Sequence, residues 1–173
     1  VAAALLSECN QTITVFLNQL QYLRGGIQPD KMGLLYIPVL VAGLCAARSR
    51  NLVEKMGEGG ACVFLFVTGG AACLLMVFFS NPILSVFCMV LLRVSASFFL
   101  PIRMDVENRS VSSGNRAAVL SAYSIVADLV AAGTNLLFGK AADTGVANAL
   151  LLGAGFCFTG AALYGVWRRV GSR

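Results

Sequence analysis

Six long apolar stretches follow one another along this chain, with only short breaks between them. A helix that crosses a bilayer needs about 20 mostly apolar residues, so each stretch predicts one span, although the second is short by this measure. The predicted spans cover residues 1–22, 33–47, 61–79, 83–101, 117–138 and 146–166. The breaks GGIQPD, GEGG, SNP, SSGN and DTG are rich in turn-forming residues. The sequence therefore predicts an all-α polytopic membrane protein, a single six-transmembrane-helix bundle over residues 1–173.

The overall composition points the same way and excludes two other classes of protein. The chain is 58% hydrophobic and 12% charged, whereas soluble domains carry about 45–50% apolar and about 25% charged residues. A soluble domain of this length could not hide that much apolar surface. The net charge of +5 comes from Lys and Arg residues scattered singly between the apolar stretches. Nucleic-acid binding needs these residues clustered on one face, so no nucleic-acid partner is expected.

Residues that could carry catalysis or hold a metal are scarce. The chain has no His and six Cys, none of them in a C-x-x-C spacing. The cysteines lie in or beside apolar stretches, where free Cys behaves as a small buried hydrophobe. No G-x-x-x-x-G-K-[ST] phosphate loop is present in the sequence. We therefore expect no enzymatic activity, no cofactor and no metal.

Loop charges predict the orientation of the bundle. Loops rich in Lys and Arg alternate with loops that have few of them. The basic ones are the second-to-third loop, the fourth-to-fifth loop and the C-terminal tail. Their nine basic residues are Arg48, Arg50, Lys55, Arg103, Arg109, Arg116, Arg168, Arg169 and Arg173, against Arg24, Lys31 and Lys140 in the other loops. By the positive-inside rule the C-terminus is cytoplasmic, in a plasma or inner cell membrane. The opening VAAALLSECN lacks an initiator Met, which favours a piece of a longer protein cut inside its first helix.

Polar residues within the spans divide the helices into two kinds. The first span carries a polar stripe at helical spacing, with Glu8 at its edge, and the fifth span carries another polar face. The first stripe is Ser7, Gln11, Thr14, Asn18 and Gln21, and the second is Ser121, Ser124, Asp128 and Asn135. The third and sixth spans have no ionisable residue, and the sixth instead has small residues at every fourth position. These are Ala149, Gly153, Cys157, Ala161 and Gly165, a ridge that predicts close helix packing.

Arg93 stands in the middle of the fourth span, in VFCMVLLRVSASFFLP. Arg93 and Asp128 each lie ten residues from the outer end of their spans, which places both roughly 15 Å deep. Equal depth and opposite charge predict a pair between them. Two interpretations stay open: a structural ion pair that locks two helices, or a functional site. In the second, a carboxylate of Glu8 or Asp128 binds a proton or a cationic substrate, and Arg93 tunes how readily it does so.

Three stretches of the chain together resemble one transporter family. They are FLNQLQYLRGGIQPDKMGLLYIP, AARSRNLVEKMG and NRSVSSGNRAAVLSAYSIVADLVAAGTNLLFGKAADTG. In the last one the resemblance rests on Asn108, Arg116-Ala117, Leu120-Ser121, Gly139 and Ala142-Asp143. The chain resembles the C-terminal half, helices seven to twelve, of a major facilitator superfamily transporter.

The resemblance implies two inverted three-helix repeats, with the third and sixth spans outside a central path. It implies alternating access for a small-molecule solute, driven by a proton or by the solute's own gradient. The partner would be a missing N-terminal six-helix half. The polar residues assigned to the path or to coupling are Glu8, Gln11, Asn18, Arg93, Asp128 and Asn135. The alternative is a complete six-span protein that acts as a homodimer or as a non-transporting scaffold.

Overall fold

The computed structural model describes residues 2–109 and 116–171, and within these ranges the regular structure is entirely helical. The prediction of an all-helical chain is therefore confirmed for the described residues. The helices are α1 (Ala2–Gln11), α2 (Asn18–Arg24), α3 (Pro29–Ala42), α4 (Ser49–Phe78), α5 (Pro82–Arg109), α6 (Arg116–Thr144) and α7 (Val146–Gly171). A π-helical turn, Thr12–Phe16, joins α1 to α2, and a 3₁₀ segment, Gly43–Arg48, joins α3 to α4. The predicted break SSGN and Arg173 lie outside the described residues.

Four helical segments in the described ranges are long and apolar enough to cross a membrane. They are Pro29–Phe78, Pro82–Arg109, Ala117–Thr144 and Val146–Trp167. This result agrees with the sequence-based expectation of an integral membrane protein. Pro29–Phe78 covers the second and third predicted spans together. The first predicted span is divided among α1, the π-helical turn and α2, which have 10, 5 and 7 residues and are each shorter than a membrane crossing.

Proline and glycine residues mark where the helices begin and bend. Pro29 and Pro82 stand in the first turns of α3 and α5, where a missing N–H costs no hydrogen bond. The side-chain oxygen of Asn81 accepts hydrogen bonds from the N–H groups of Ile83 and Leu84, at 2.9 and 3.2 Å, and so caps α5. Gly57 interrupts α4 with φ 71° and ψ 159°, a conformation that side chains disfavour. All of these residues lie within or beside the predicted breaks.

The centre of the molecule is the crossing of α1, α4 and α7. The most extensive helix contacts are those of α4 with α7 and with α5, and α1 packs on α7. A Cβ atom on Gly153 would lie 2.6 Å from Ile13 Cδ1 and 3.1 Å from Cys9 Sγ, and one on Gly160 would overlap the Phe66 ring. A Cβ on Gly69 would lie 3.2 Å from Leu92 Cδ1. The helices therefore approach so closely that Gly153 and Gly160 have no room for a side chain, and Gly69 has little.

The ridge of small residues on α7 follows this crossing for part of its length. Ala149, Gly153 and Cys157 are buried, Ala161 is partly buried, and a Cβ on Gly165 would meet no atom within 4 Å. A step of four residues advances about 400° around a helix of 3.6 residues per turn, so each step drifts by about 40°. Four such steps carry Gly165 about 160° away from Ala149. The ridge therefore turns off the contact face before it reaches Gly165.

Three cysteines meet at the same crossing, one from each helix. Cys9 Sγ lies 3.8 Å from Cys73 Sγ and 3.6 Å from Cys157 Sγ, and the Cys9 thiol also donates a hydrogen bond to the Gly153 carbonyl at 3.4 Å. All three are free thiols and fully buried. We refer to them as the thiol triangle. Their small side chains fill the space that the neighbouring glycines leave open.

Helix α6 stands apart from this core. Its main contacts are with α7 and α1, and between residues 117 and 144 only Thr134 and Phe138 are buried. Large apolar side chains on it are exposed, with Leu129 69% and Leu136 71% accessible. Asp128 is exposed as well. Most of α6 is therefore available to lipid or to another protein surface.

The crossing predicts a contrast between two glycines of α7. We expect Gly153→Val to destabilise the protein, because overpacking a filled core typically costs about 1–3 kcal/mol. Gly165→Val, the matched control, should change stability little, because the space beside Gly165 is open. The measurement is the temperature at which the purified protein loses its monodisperse elution peak in detergent. Equal losses for the two variants would contradict the packing described above.

Candidate functional site

Polar side chains of α1 and of the π-helical turn that follows it fall on two sides. On one side, Glu8 and Thr12 face α6. On the other side, Ser7, Asn10 and Gln11 line a cavity that also contains Arg93. We refer to the first group, with its partners on α6, as the acid cluster, and to the second as the Arg93 cavity.

The acid cluster joins two carboxylates from different helices. Thr12 Oγ1 donates a hydrogen bond to Asn135 Oδ1 at 3.0 Å. Asn135 also lies near the carboxylate of Glu8. Asp128 lies close enough to Glu8 for their charges to interact. Asp128 and Asn135 are two turns apart on one face of α6, so a single helix supplies both contacts.

Arg93 does not pair with Asp128. In the described residues no carboxylate forms an ion pair with Arg93, and its Nε atom is buried without a hydrogen-bond partner. The guanidinium instead lies beside Gly43, in the 3₁₀ segment that follows α3. Helix α5 packs on α3 and α4, whereas α6 packs on α1 and α7. The predicted pair is therefore absent, because equal depth does not determine which way each helix faces.

The Arg93 cavity has a volume of about 300 Å³. Its described lining is mixed, with amides, hydroxyls and a phenol on one hand and apolar side chains on the other, and it contains no Asp or Glu. The lining residues are Ala3, Ser7, Asn10, Gln11, Val15, Tyr36, Arg93, Ala96, Ser97, Phe99, Leu100 and Arg103. Asn10 lies one position off the predicted stripe, so the stripe did not identify it, although an Asn within a span was a visible signal.

The π-helical turn explains why the predicted stripe does not remain on one face. Leu17 N–H bonds to Thr12 O at 2.9 Å, across five residues instead of four. This wider turn changes the direction in which the following side chains point. Ser7 and Gln11 precede the turn and line the Arg93 cavity. Asn18 follows it and is buried, and its side-chain oxygen accepts a hydrogen bond from the Gln19 N–H at 2.7 Å.

Gln21, the last residue of the predicted stripe, and Arg24 form hydrogen bonds to the start of α5 and to the C-terminal end of α4. Gln21 Nε2 donates to Ser85 Oγ at 3.0 Å, and Arg24 donates to the carbonyls of Met76 and Val77 at 3.2 and 2.9 Å. The last carbonyls of a helix lack partners within the helix and carry partial negative charge, so a cation is well placed there. These contacts are structural and lie away from the Arg93 cavity.

Comparison with protein-family models, with characterised proteins and with solved structures returned no match for this chain.

The acid cluster predicts an energetic coupling between Glu8 and Asp128. We expect Glu8→Gln and Asp128→Asn each to relieve the same repulsion, so that the double variant gains less than the sum of the two. The non-additivity should be at least about 0.5 kcal/mol in a double-mutant cycle measured by unfolding in detergent at pH 8. As a control, Glu8→Gln should be additive with Asp143→Asn, since Asp143 lies about 22 Å further along α6. Additivity in both cycles would mean that the two carboxylates do not interact.

Proposed function

We propose that this chain is one half of a secondary transporter of the major facilitator type, which moves a small solute by alternating access. The observation that carries the proposal is the acid cluster, in which Glu8 of α1 and Asp128 of α6 lie close enough for their charges to interact. The resemblance in the sequence supports the same function. In this proposal Glu8 and Asp128 bind a coupling proton, and the Arg93 cavity is part of the solute path.

Simple electrostatics supports the proton site. Two neighbouring carboxylates repel each other when both are charged, and a proton bound to either of them removes that repulsion. Ionisable residues inside a membrane are costly and are typically found in proton and substrate pathways. Glu8 is partly buried and Asp128 is exposed, so the pair has one member towards the core and one towards the surface. Such a pair is suited to receive a proton on one side and release it on the other.

We propose six spans with the basic loops and the C-terminus in the cytoplasm. The 50-residue helical stretch Pro29–Phe78 would be about 75 Å long if straight, more than twice the thickness of a bilayer core. The break at Gly57 allows it to form two spans instead of one. The π-helical turn continues α1 into α2, so residues 2–24 can supply the remaining span. Two repeats of three helices then make one half of the transporter.

The exposed polar residues of α6 favour the presence of a second half of the transporter. Ser121, Ser124 and Asp128 are exposed on α6, and polar groups of this kind are rarely left facing lipid. A second six-helix half that packs on α6 would cover them and enclose the path. A second copy of this chain could cover the same face, which is the arrangement that the homodimer alternative requires.

Vesicle transport tests the proton site. The full-length native polypeptide, with both halves present, is purified and reconstituted with a pH-sensitive dye inside the vesicles, and lactate, lysine or glucose is added outside as an anionic, cationic or neutral solute. We expect at least one of them to move protons, and we expect Glu8→Gln or Asp128→Asn to abolish this flux, because the proton site is lost. Asp143→Asn, a matched change at the exposed end of α6, should leave the flux intact. Unchanged proton flux in Asp128→Asn, or no flux with any solute, would refute the proposal.

The mass of the native polypeptide separates the two arrangements. We expect an immunoblot of the source membrane to show a polypeptide about twice as long as this chain, since one half of such a transporter has six helices. A polypeptide of this length that forms a two-fold dimer in mild detergent would instead favour the homodimer.

A further inference from the structure

We propose that the Arg93 cavity binds a small organic anion that also carries a hydroxyl group, such as a hydroxy acid. The inference rests on the proposed function only in so far as the bound anion is the transported solute. The binding site itself is argued from the residues around the cavity.

The charge of the cavity selects an anion. Arg is always protonated in proteins, and in the described residues no carboxylate neutralises Arg93. The other cation of the lining, Arg103, is already paired with Glu107 at 2.6 Å. An uncompensated cation within a membrane span is costly, and no Asp or Glu lines the cavity among the described residues. The missing counter-charge can therefore come from a ligand.

Gly43 leaves room for the guanidinium at the cavity wall. A Cβ on residue 43 would lie 3.3 Å from Arg93 Nε and 3.5 Å from Nη2, so the guanidinium packs closely against Gly43. A guanidinium has five N–H donors, and those that do not face Gly43 can hold a carboxylate through charge-assisted hydrogen bonds. Nε has no partner within the described part of the chain. The carboxylate of the ligand is therefore placed at the N–H groups of Arg93 that Gly43 does not cover.

Asn10 supplies the second recognition element. It is 6% exposed and its Oδ1 atom is buried without a hydrogen-bond partner. A buried acceptor left without a donor is unfavourable, so a ligand that brings a donor satisfies it. A hydroxyl suits this role better than an ammonium group, because the described lining has no carboxylate to balance a second positive charge.

The size and the apolar lining limit the ligand further. About 300 Å³ is at the lower end of the range of small-molecule sites. Phe99, Leu100 and Val15 form the apolar part of the wall, which suits a compact hydrocarbon body. The two sides of α1 then have separate roles: the acid cluster holds a positive charge, and the Arg93 cavity holds a negative one.

Three closely matched ligands test the inference on the unmodified protein. Mandelate carries the carboxylate and the hydroxyl, mandelamide lacks the charge, and phenylacetate lacks the hydroxyl. By isothermal titration calorimetry in detergent we expect mandelamide to bind at least about tenfold more weakly than mandelate, because a charged hydrogen bond is lost. We expect phenylacetate to bind about threefold to tenfold more weakly, because a neutral one is lost. Equal binding of mandelate and mandelamide, or no binding of mandelate, would overturn the proposal.

Substitutions of Arg93 and Asn10 test which residue recognises the carboxylate and which recognises the hydroxyl of mandelate. Arg93→Gln should remove the preference for mandelate over mandelamide, and Asn10→Ala should remove the preference for mandelate over phenylacetate. Arg50→Gln, an exposed arginine paired with Glu54 at 2.9 Å, is the matched control and should change neither. If Arg93→Gln does not fold, Ala96→Leu fills the cavity while it leaves Arg93 in place, and it should weaken mandelate binding at least about tenfold. Retained preferences in these variants would place the ligand elsewhere.

Binding and transport can fail separately in these experiments. Calorimetry in detergent does not require proton movement, so mandelate binding without any proton flux would refute the transporter and leave the anion site standing. Proton flux with lysine or glucose, together with no mandelate binding, would refute the anion site and leave the transporter standing.

Discussion

The close approach of α1, α4 and α7 is the contact on which the remaining structure depends. A Cβ atom on Gly153 or Gly160 would overlap a neighbouring side chain at this crossing, and one on Gly69 would be in tight contact. In a bilayer the hydrophobic effect does not drive helices together, so van der Waals packing of this kind must supply much of the association. The crossing fixes α1 in the bundle, and α1 carries Glu8, Asn10 and Gln11, which contribute to the acid cluster and to the Arg93 cavity.

Helix α1 separates the acid cluster from the Arg93 cavity. One of its faces packs on the core, and two other faces carry polar side chains. Glu8 and Thr12 meet α6, while Asn10 and Gln11 meet the cavity with Arg93. The carboxylates and Arg93 therefore meet different neighbours and form no ion pair with each other among the described residues. A direct pair between Arg93 and Asp128 would have neutralised both charges and left neither group available for a mobile ligand.

The sequence was sufficient to predict features that depend on composition and spacing along one helix. It predicted an all-helical membrane protein, and its breaks coincide with the bends at Gly57 and the start at Pro82. It could not predict the π-helical turn, because one wider turn has no clear residue signature, and this turn moves Asn18 away from the cavity. Nor could depth along a helix give the direction in which Arg93 points, because that direction is set by packing between helices distant in sequence.

The thiol triangle makes the central crossing observable without any engineered label. Its three sulfur atoms come from three helices and are fully buried, so a maleimide reagent reaches them only when these helices separate. Cys45, partly exposed in the 3₁₀ segment, reports ordinary surface reactivity in the same molecule. A motion that rotates the bundle as one body leaves the buried thiols unreactive, whereas a motion that bends α1 away from α4 and α7 opens them to alkylation. The labelling rate of Cys9 relative to Cys45 therefore distinguishes rigid-body rotation from helix bending.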